Sequence, residues 1–216
     1  MASPLMDRLV SLLVPPLCVA CREPELGGGA LCTDCARALV ALAPAQAAHR
    51  SPALARAWAP FSYEGVARRV VMALKVRSAT QAARFMATAI ETRAPAGLLD
   101  AGVLVPVPGR PHGNRRRGFD HAHAIAQTLG QVTGLEVMRA LRRSPARAQV
   151  GLGRGARQAN ASGSVSVRPG VPTGSRAILV DDVYTTGATL DACALALRGA
   201  GAGEVVAVSF ARTVRK

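Results

Sequence analysis

Ala177-Ile178-Leu179-Val180-Asp181-Asp182-Val183-Tyr184-Thr185-Thr186-Gly187-Ala188-Thr189 changes character three times in thirteen residues. A short apolar run bounded by turn residues suits a buried strand of a parallel sheet. Paired acids follow at the carboxyl end of that strand, the edge where ligands bind in open α/β sheets. A hydroxyl-and-glycine turn then opens a helical pattern. Backbone N–H groups from Tyr184 to Thr189 can converge on a phosphate, with Gly187 permitting a backbone shape closed to other residues and the threonines adding donors. Asp181 and Asp182 cannot share that phosphate, because like charges repel. They should face something neutral or cationic, such as ribose hydroxyls or a magnesium-bearing sugar.

The flanking sequence supplies the rest of such a sheet. Downstream, Leu190, Cys193, Ala194 and Leu197 form a helical face closed by Arg198 and Gly199, and Glu204–Phe210 reads as a further strand, which completes a right-handed crossover. Cys193 fits there as a small core residue. Upstream, Val66, Val70, Val71 and Leu74 predict one core helix, and Ala82, Phe85, Met86, Ala89 and Ile90 a second. Lys75 ends the first, where it can favour the helix dipole or reach a phosphate. Val103–Val107 predicts a strand that delivers Pro108-Gly109-Arg110 to the ligand edge. A helix with Ala122, Ile125, Ala126 and Leu129 on its buried face follows, with Gly130 as its stop. His121 and His123 stand two apart, a poor metal pair, and read as solvated or locally hydrogen-bonded. Gly163–Val167 predicts a short strand.

Half of the 216 residues are hydrophobic, enough for one good core and a small appendage. The net charge is +14, and no acid occurs between Glu136 and Asp181 while eight arginines do. Such a run attracts polyanions. Within it, residues 142–160 form a glycine- and arginine-rich loop that either closes on a ligand with several phosphates or stays solvated. Gly151-Leu-Gly153-Arg-Gly155-Ala156 matches a dinucleotide fingerprint only formally, since no strand precedes it and no acid follows. No apolar stretch is long enough for a membrane span, and the apolar N-terminus lacks a small-residue cleavage site, so a cytoplasmic setting is expected.

Cys18-Val-Ala-Cys21 and Cys32-Thr-Asp-Cys35 are two CxxC knuckles separated by ten residues that include Gly27-Gly28-Gly29. Four thiolates in this spacing suit a closed, structural zinc ion, with iron–sulfur ligation or a redox dithiol as the alternatives.

The Val180–Thr189 stretch resembles the phosphoribosyl pyrophosphate (PRPP) signature of type I phosphoribosyltransferases. With the paired CxxC, the Tyr63-Glu64-Gly65 segment leading to Lys75, the Pro106-Val107-Pro108 strand end, Arg117-Gly118-Phe119 and the Gln149, Leu152, Arg157, Asn160 spacing, the chain resembles the ComF family. The resemblance implies an α/β, mostly parallel phosphoribosyltransferase fold behind an N-terminal zinc finger. It implies residues 1–45 as an N-terminal helix and zinc finger, 46–60 as a linker and 61–216 as the phosphoribosyltransferase-like domain. It implies Asp181 and Asp182 on the ribose hydroxyls, Val183 to Thr189 on the 5′-phosphate and Pro108, Gly109 and Arg110 on pyrophosphate. Magnesium would accompany PRPP, and Lys75, Arg115, Arg117 and Arg157 are candidate pyrophosphate or DNA contacts. Family members carry Asn-Gln where Asp120-His121 stand, and Asp serves equally as a helix cap. Two functions follow: transfer of phosphoribose to an acceptor during DNA uptake, or a non-catalytic protein that keeps the sugar-phosphate pocket and works with single-stranded DNA and recombination partners. A third expectation, the zinc knuckle as nucleic-acid reader, is offset by Glu23, Glu25 and Asp34.

Overall fold

The computed structural model describes residues 16–25, 27–77, 79–109, 120–143, 165–170 and 174–214. Its strands in chain order are β1 (Ala48–His49), β2 (Arg56–Trp58), β3 (Phe61–Ser62), β4 (Val103–Pro106), β5 (Leu141–Arg143), β6 (Val165–Val167), β7 (Ala177–Tyr184) and β8 (Val205–Arg212). The helices are α1 (Thr33–Arg37), α2 (Pro44–Ala47), α3 (Gly65–Arg77), α4 (Thr80–Arg93), α5 (His121–Thr133) and α6 (Ala188–Gly199). One sheet runs in the order β1-β2-β8-β7-β4, with β3 pairing β8 beyond the end of β2. Every pairing in it is parallel except β1 with β2. This is the α/β, mostly parallel architecture that the resemblance implies.

The apolar run of β7 is continuous because both of its faces are covered. Ile178 and Val180 point into a core with Val70 and Leu74 of α3, Met86 and Ile90 of α4, and Ile125 and Leu129 of α5. Ala177 and Leu179 alternate to the other face, where Leu190, Cys193, Ala194 and Leu197 of α6 close over them. Cys193 is wholly buried there, the core role its helical spacing suggests.

Four expectations need correction. β7 does not stop at the acids but continues to Tyr184, because β8 keeps pairing it: Asp181 lies opposite Ser209 and Tyr184 opposite Arg212. Residues 46–60, expected to be a linker, hold β1 and β2, and Arg56–Trp58 pair with Val206–Val208 in the sheet. Gly130 does not stop α5 but lies inside it, where a Cβ would stand 2.7 Å from Val137 Cγ2 and 2.8 Å from the Leu135 carbonyl. Its missing side chain admits the returning chain, and Gly134 at φ 75 is the cap. α6 is capped by Ala200, one residue past the expected Gly199, and Gly201 takes the positive φ.

The strand expected at Gly163–Val167 forms as β6 over Val165–Val167 and pairs antiparallel with β5, apart from the main sheet. At the other end of the chain, Cys18, Val19, Leu31 and Cys35 join the core of α3, and Arg77 donates to the Val19 carbonyl at 2.8 Å. The cysteine segment is thereby docked on the sheet domain. The helix expected before it lies outside the described residues.

Candidate functional site

β4 and β7 end side by side, since Pro106 is in register with Val180 and Val107 N–H donates to the Val180 carbonyl at 2.9 Å. The helices that follow them leave in opposite directions, α5 to one face and α6 to the other. Between two such departures an open sheet leaves a crevice at its carboxyl edge. A cavity of about 450 Å³ occupies that place. Asp181, Asp182 and Val183 line it from β7, Thr185 from the turn that follows, Thr189 from α6, and Pro108 and Gly109 from the loop after β4. Lys75 enters from the last turn of α3.

The two acids behave differently. Asp182 is buried and takes both oxygens to Lys75 Nζ, each at 2.9 Å, so the lysine acts on a carboxylate rather than on a helix dipole alone. Burial, then repulsion from Asp182, pushes the Asp181 carboxyl up to about 8, against an opposing hydrogen bond from the Asp182 N–H at 2.8 Å and the charges of Lys75 and Arg143. Near neutral pH Asp181 therefore holds its proton beside the Asp182–Lys75 pair. Any bound group that brings positive charge or hydroxyl donors favours release of that proton.

The turn after β7 presents donors to the same cavity. Gly187 is the N-cap of α6 at φ 81, with no side chain to satisfy the first-turn N–H groups. A Cβ at Gly187 would come within 2.5 Å of the Tyr184 hydroxyl, so only glycine fits this corner. Tyr184 faces away from the cavity, packed against the His49 ring at 5.6 Å and beneath the Arg212 guanidinium at 5.2 Å. Tyr184, Thr186, Gly187 and Ala188 thus shape the turn without lining the cavity.

Four further residues, none individually expected as a contact, complete the polar lining. Tyr63, Asp120, His121 and Arg143 also line the cavity. Asp120 caps α5 by accepting the His123 N–H at 3.2 Å, the role expected of an acid at that position. The His121 ring hydrogen-bonds the Lys75 backbone, and burial above all holds its pKa below the usual histidine value. Arg143 donates to the Thr189 hydroxyl at 3.3 Å. Of the other expected contacts, Arg110, Arg115, Arg117 and Arg157 lie outside the described residues.

The sulfurs of Cys18, Cys21, Cys32 and Cys35 all lie within 4.8 Å of one another, and Cys21 Sγ is 3.7 Å from Cys32 Sγ. Tetrahedral zinc with Zn–S bonds near ~2.3 Å has an S···S edge of roughly 3.8 Å, so these residues fit it. Burial raises the Cys18 thiol, but backbone hydrogen bonds from Cys21, Cys32 and Ala20 outweigh it and hold Cys18 at about 6, whereas burial and the neighbouring sulfurs push Cys35 up to about 12. Buried Glu25 accepts the Gly27 and Gly29 N–H groups at 2.9 and 2.7 Å, which braces the loop between the knuckles.

No family model matches the chain, and no curated protein does. Several solved structures are similar. The allosteric regulatory enzyme of purine biosynthesis is 22% identical over 58% of this chain and 24% of its own, with a TM-score of 0.39. Glutamine PRPP amidotransferase from B. subtilis, complexed with ADP and GMP, is 25% identical over 58% of this chain and 26% of its own, with a TM-score of 0.41. Orotate phosphoribosyltransferase from Aeropyrum pernix is 18% identical over 65% of this chain and 62% of its own, with a TM-score of 0.38. The chain spans about a quarter of the length of the first two. Among the described residues no helix is long and apolar enough to cross a membrane.

Proposed function

We propose that the cleft binds PRPP and that the chain is a phosphoribosyltransferase-like protein. The observation that carries this is one cavity bordered by two adjacent carboxylates and by a glycine-capped helix start with threonine hydroxyls. The amides of residues 183–189 with the hydroxyls of Thr185 and Thr189 hold the 5′-phosphate, an anion at a helix N-terminus. Asp181 and Asp182 accept from the ribose hydroxyls, and the Pro108-Gly109 loop with Lys75 faces the diphosphate end. Magnesium bound with the ligand supplies charge neutralisation on the diphosphate, and the paired carboxylates suit its oxygen-only preference.

In transfer, a lone pair of an acceptor nitrogen forms a bond to ribose C1 as the C1–O bond breaks. Diphosphate leaves with that electron pair, and the nitrogen's proton passes to a base or solvent. Charge develops on the leaving group, where fixed positive groups in a closed site contribute most. The test is pyrophosphate release from PRPP against a panel of bases, nucleotides and single-stranded DNA. Release that disappears in an Asp181→Asn/Asp182→Asn protein supports transfer; none with any acceptor leaves PRPP binding without turnover.

We further propose that this protein works in the cytoplasm in DNA uptake, with single-stranded DNA and recombination proteins as partners. The ComF resemblance and the acid-free arginine run support that setting. Affinity for single-stranded DNA should fall steeply with salt. No binding in ~0.1 M salt would remove DNA from the proposal.

A further inference from the structure

A second cavity, of about 220 Å³, adjoins the first across Pro108 and Gly109. Its distinctive wall is guanidinium: Arg139, Arg142, Arg143 and Arg168 border it, with Asp120 the single acid among the described residues of the lining. Arg139 pairs with Asp120 at 3.1 Å. Arg142 donates to the Ser166 hydroxyl at 2.9 Å, and neither it nor Arg143 or Arg168 makes a salt bridge among the described residues. Arg143 borders both cavities, and its Nε is buried without a hydrogen-bond partner among the described residues. Its Nη2 donates to the Thr189 hydroxyl, so the guanidinium is held in place with one further N–H to offer an acceptor.

We propose that this cavity is a subsite for a phosphate group carried by the acceptor, so that the acceptor is a phosphate monoester such as a nucleotide. Clustered guanidinium groups match phosphate oxygens in geometry as well as charge. A ligand confined to the first cavity reaches Arg143 but leaves Arg139, Arg142 and Arg168 unused. Two ligands meeting at Pro108 and Gly109 use both walls. The acceptor phosphate anchors and orients; no bond to it changes, and its nucleophile is presented to the first cavity, which lowers the entropy cost of the encounter. The assignment of the nucleophile rests on the proposed PRPP site.

The experiment is calorimetric titration of adenosine 5′-monophosphate and adenosine into protein saturated with PRPP and magnesium, for the natural chain and for Arg142→Gln/Arg168→Gln. Both arginines are exposed, Arg142 on β5 and Arg168 just past β6, and the ribbon is held by backbone bonds, so the fold should survive their loss. The expected result is monophosphate binding at least tenfold tighter than adenosine, a difference abolished in the variant, with PRPP affinity within twofold of the natural chain. Displacement of PRPP by the monophosphate would make the second cavity part of the first ligand's site and overturn the proposal. So would equal binding of nucleotide and nucleoside, or a variant that binds the monophosphate normally. If PRPP itself fails to bind, the proposed function fails separately, and the variant's effect on monophosphate binding to the free protein still decides the subsite.

Discussion

The four-cysteine cluster and the acidic cleft are built on opposite rules. In the cluster the strong groups face one another: four sulfurs lie together, and Glu25 accepts from loop amides. In the cleft the groups are held short of satisfaction. Asp181 keeps a proton it would lose in water, α6 starts without a side-chain cap, and Arg143 Nε has no acceptor among the described residues. A closed constellation contributes stability, and an incomplete one retains its binding capacity for a ligand. Stability and affinity should therefore separate cleanly between the two regions.

The largest effect expected on stability is in the cluster. Cys32→Ser should abolish stoichiometric zinc and cost on the order of 4 kcal/mol, because Cys18 and Cys35 lie in the core shared with α3. Metal analysis and thermal unfolding read this, and PRPP affinity below the melting transition should stay within threefold. A large loss of affinity would break the separation.

Gly187→Ala inverts the pattern. A side chain there is strained at φ 81 and meets the Tyr184 hydroxyl, so the turn must shift. About 2 kcal/mol of binding, close to 30-fold in PRPP affinity, should be lost while zinc content is unchanged. Normal affinity would mean that the helix start does not hold the phosphate.

Asp181→Asn should trade one property for the other. An acid whose pKa is raised by folding holds its proton more tightly folded than unfolded. Its stability contribution is complete below about 4, falls as pH rises toward about 8, and is level above. The variant should thus be more stable than the natural chain at pH 8.5, by up to about 5 kcal/mol, and equal to it near pH 4, as read by denaturant melts. A gain that does not grow with pH would contradict the buried-acid origin.

Much of the architecture is visible in local pattern. Ile178, Leu179 and Val180 announce a strand covered on both faces, and the CxxC spacing announces its cluster. What escapes is what depends on distant partners. Asp181 and Asp182 carry no strand signal, yet the ladder with β8 runs past them, with Asp181 opposite Ser209 and Val183 opposite Ala211. Arg56–Trp58 is a strand too short and proline-flanked to show periodicity, and it exists because β8 has a free edge. Gly130 has the composition of a helix stop and the role of a contact point for Leu135 and Val137. In the cleft, the β7–α6 contributors stand together in the chain, whereas Tyr63, Asp120, His121 and Arg143 arrive from separate elements. Nothing local distinguishes Arg143 from the other arginines of its run. Its position between two cavities is a property of the folded chain.

Isothermal titration of PRPP with and without magnesium, repeated from pH 6 to 9, tests the central claim most directly. Saturable, magnesium-dependent binding should strengthen as pH rises toward 8, with proton uptake by buffer below that pH as Asp181 ionises, and Asp182→Asn should weaken it at least tenfold. No heat and no saturation at millimolar PRPP, or an Asp182→Asn protein that binds as well as the natural chain, would contradict the assignment of the cleft.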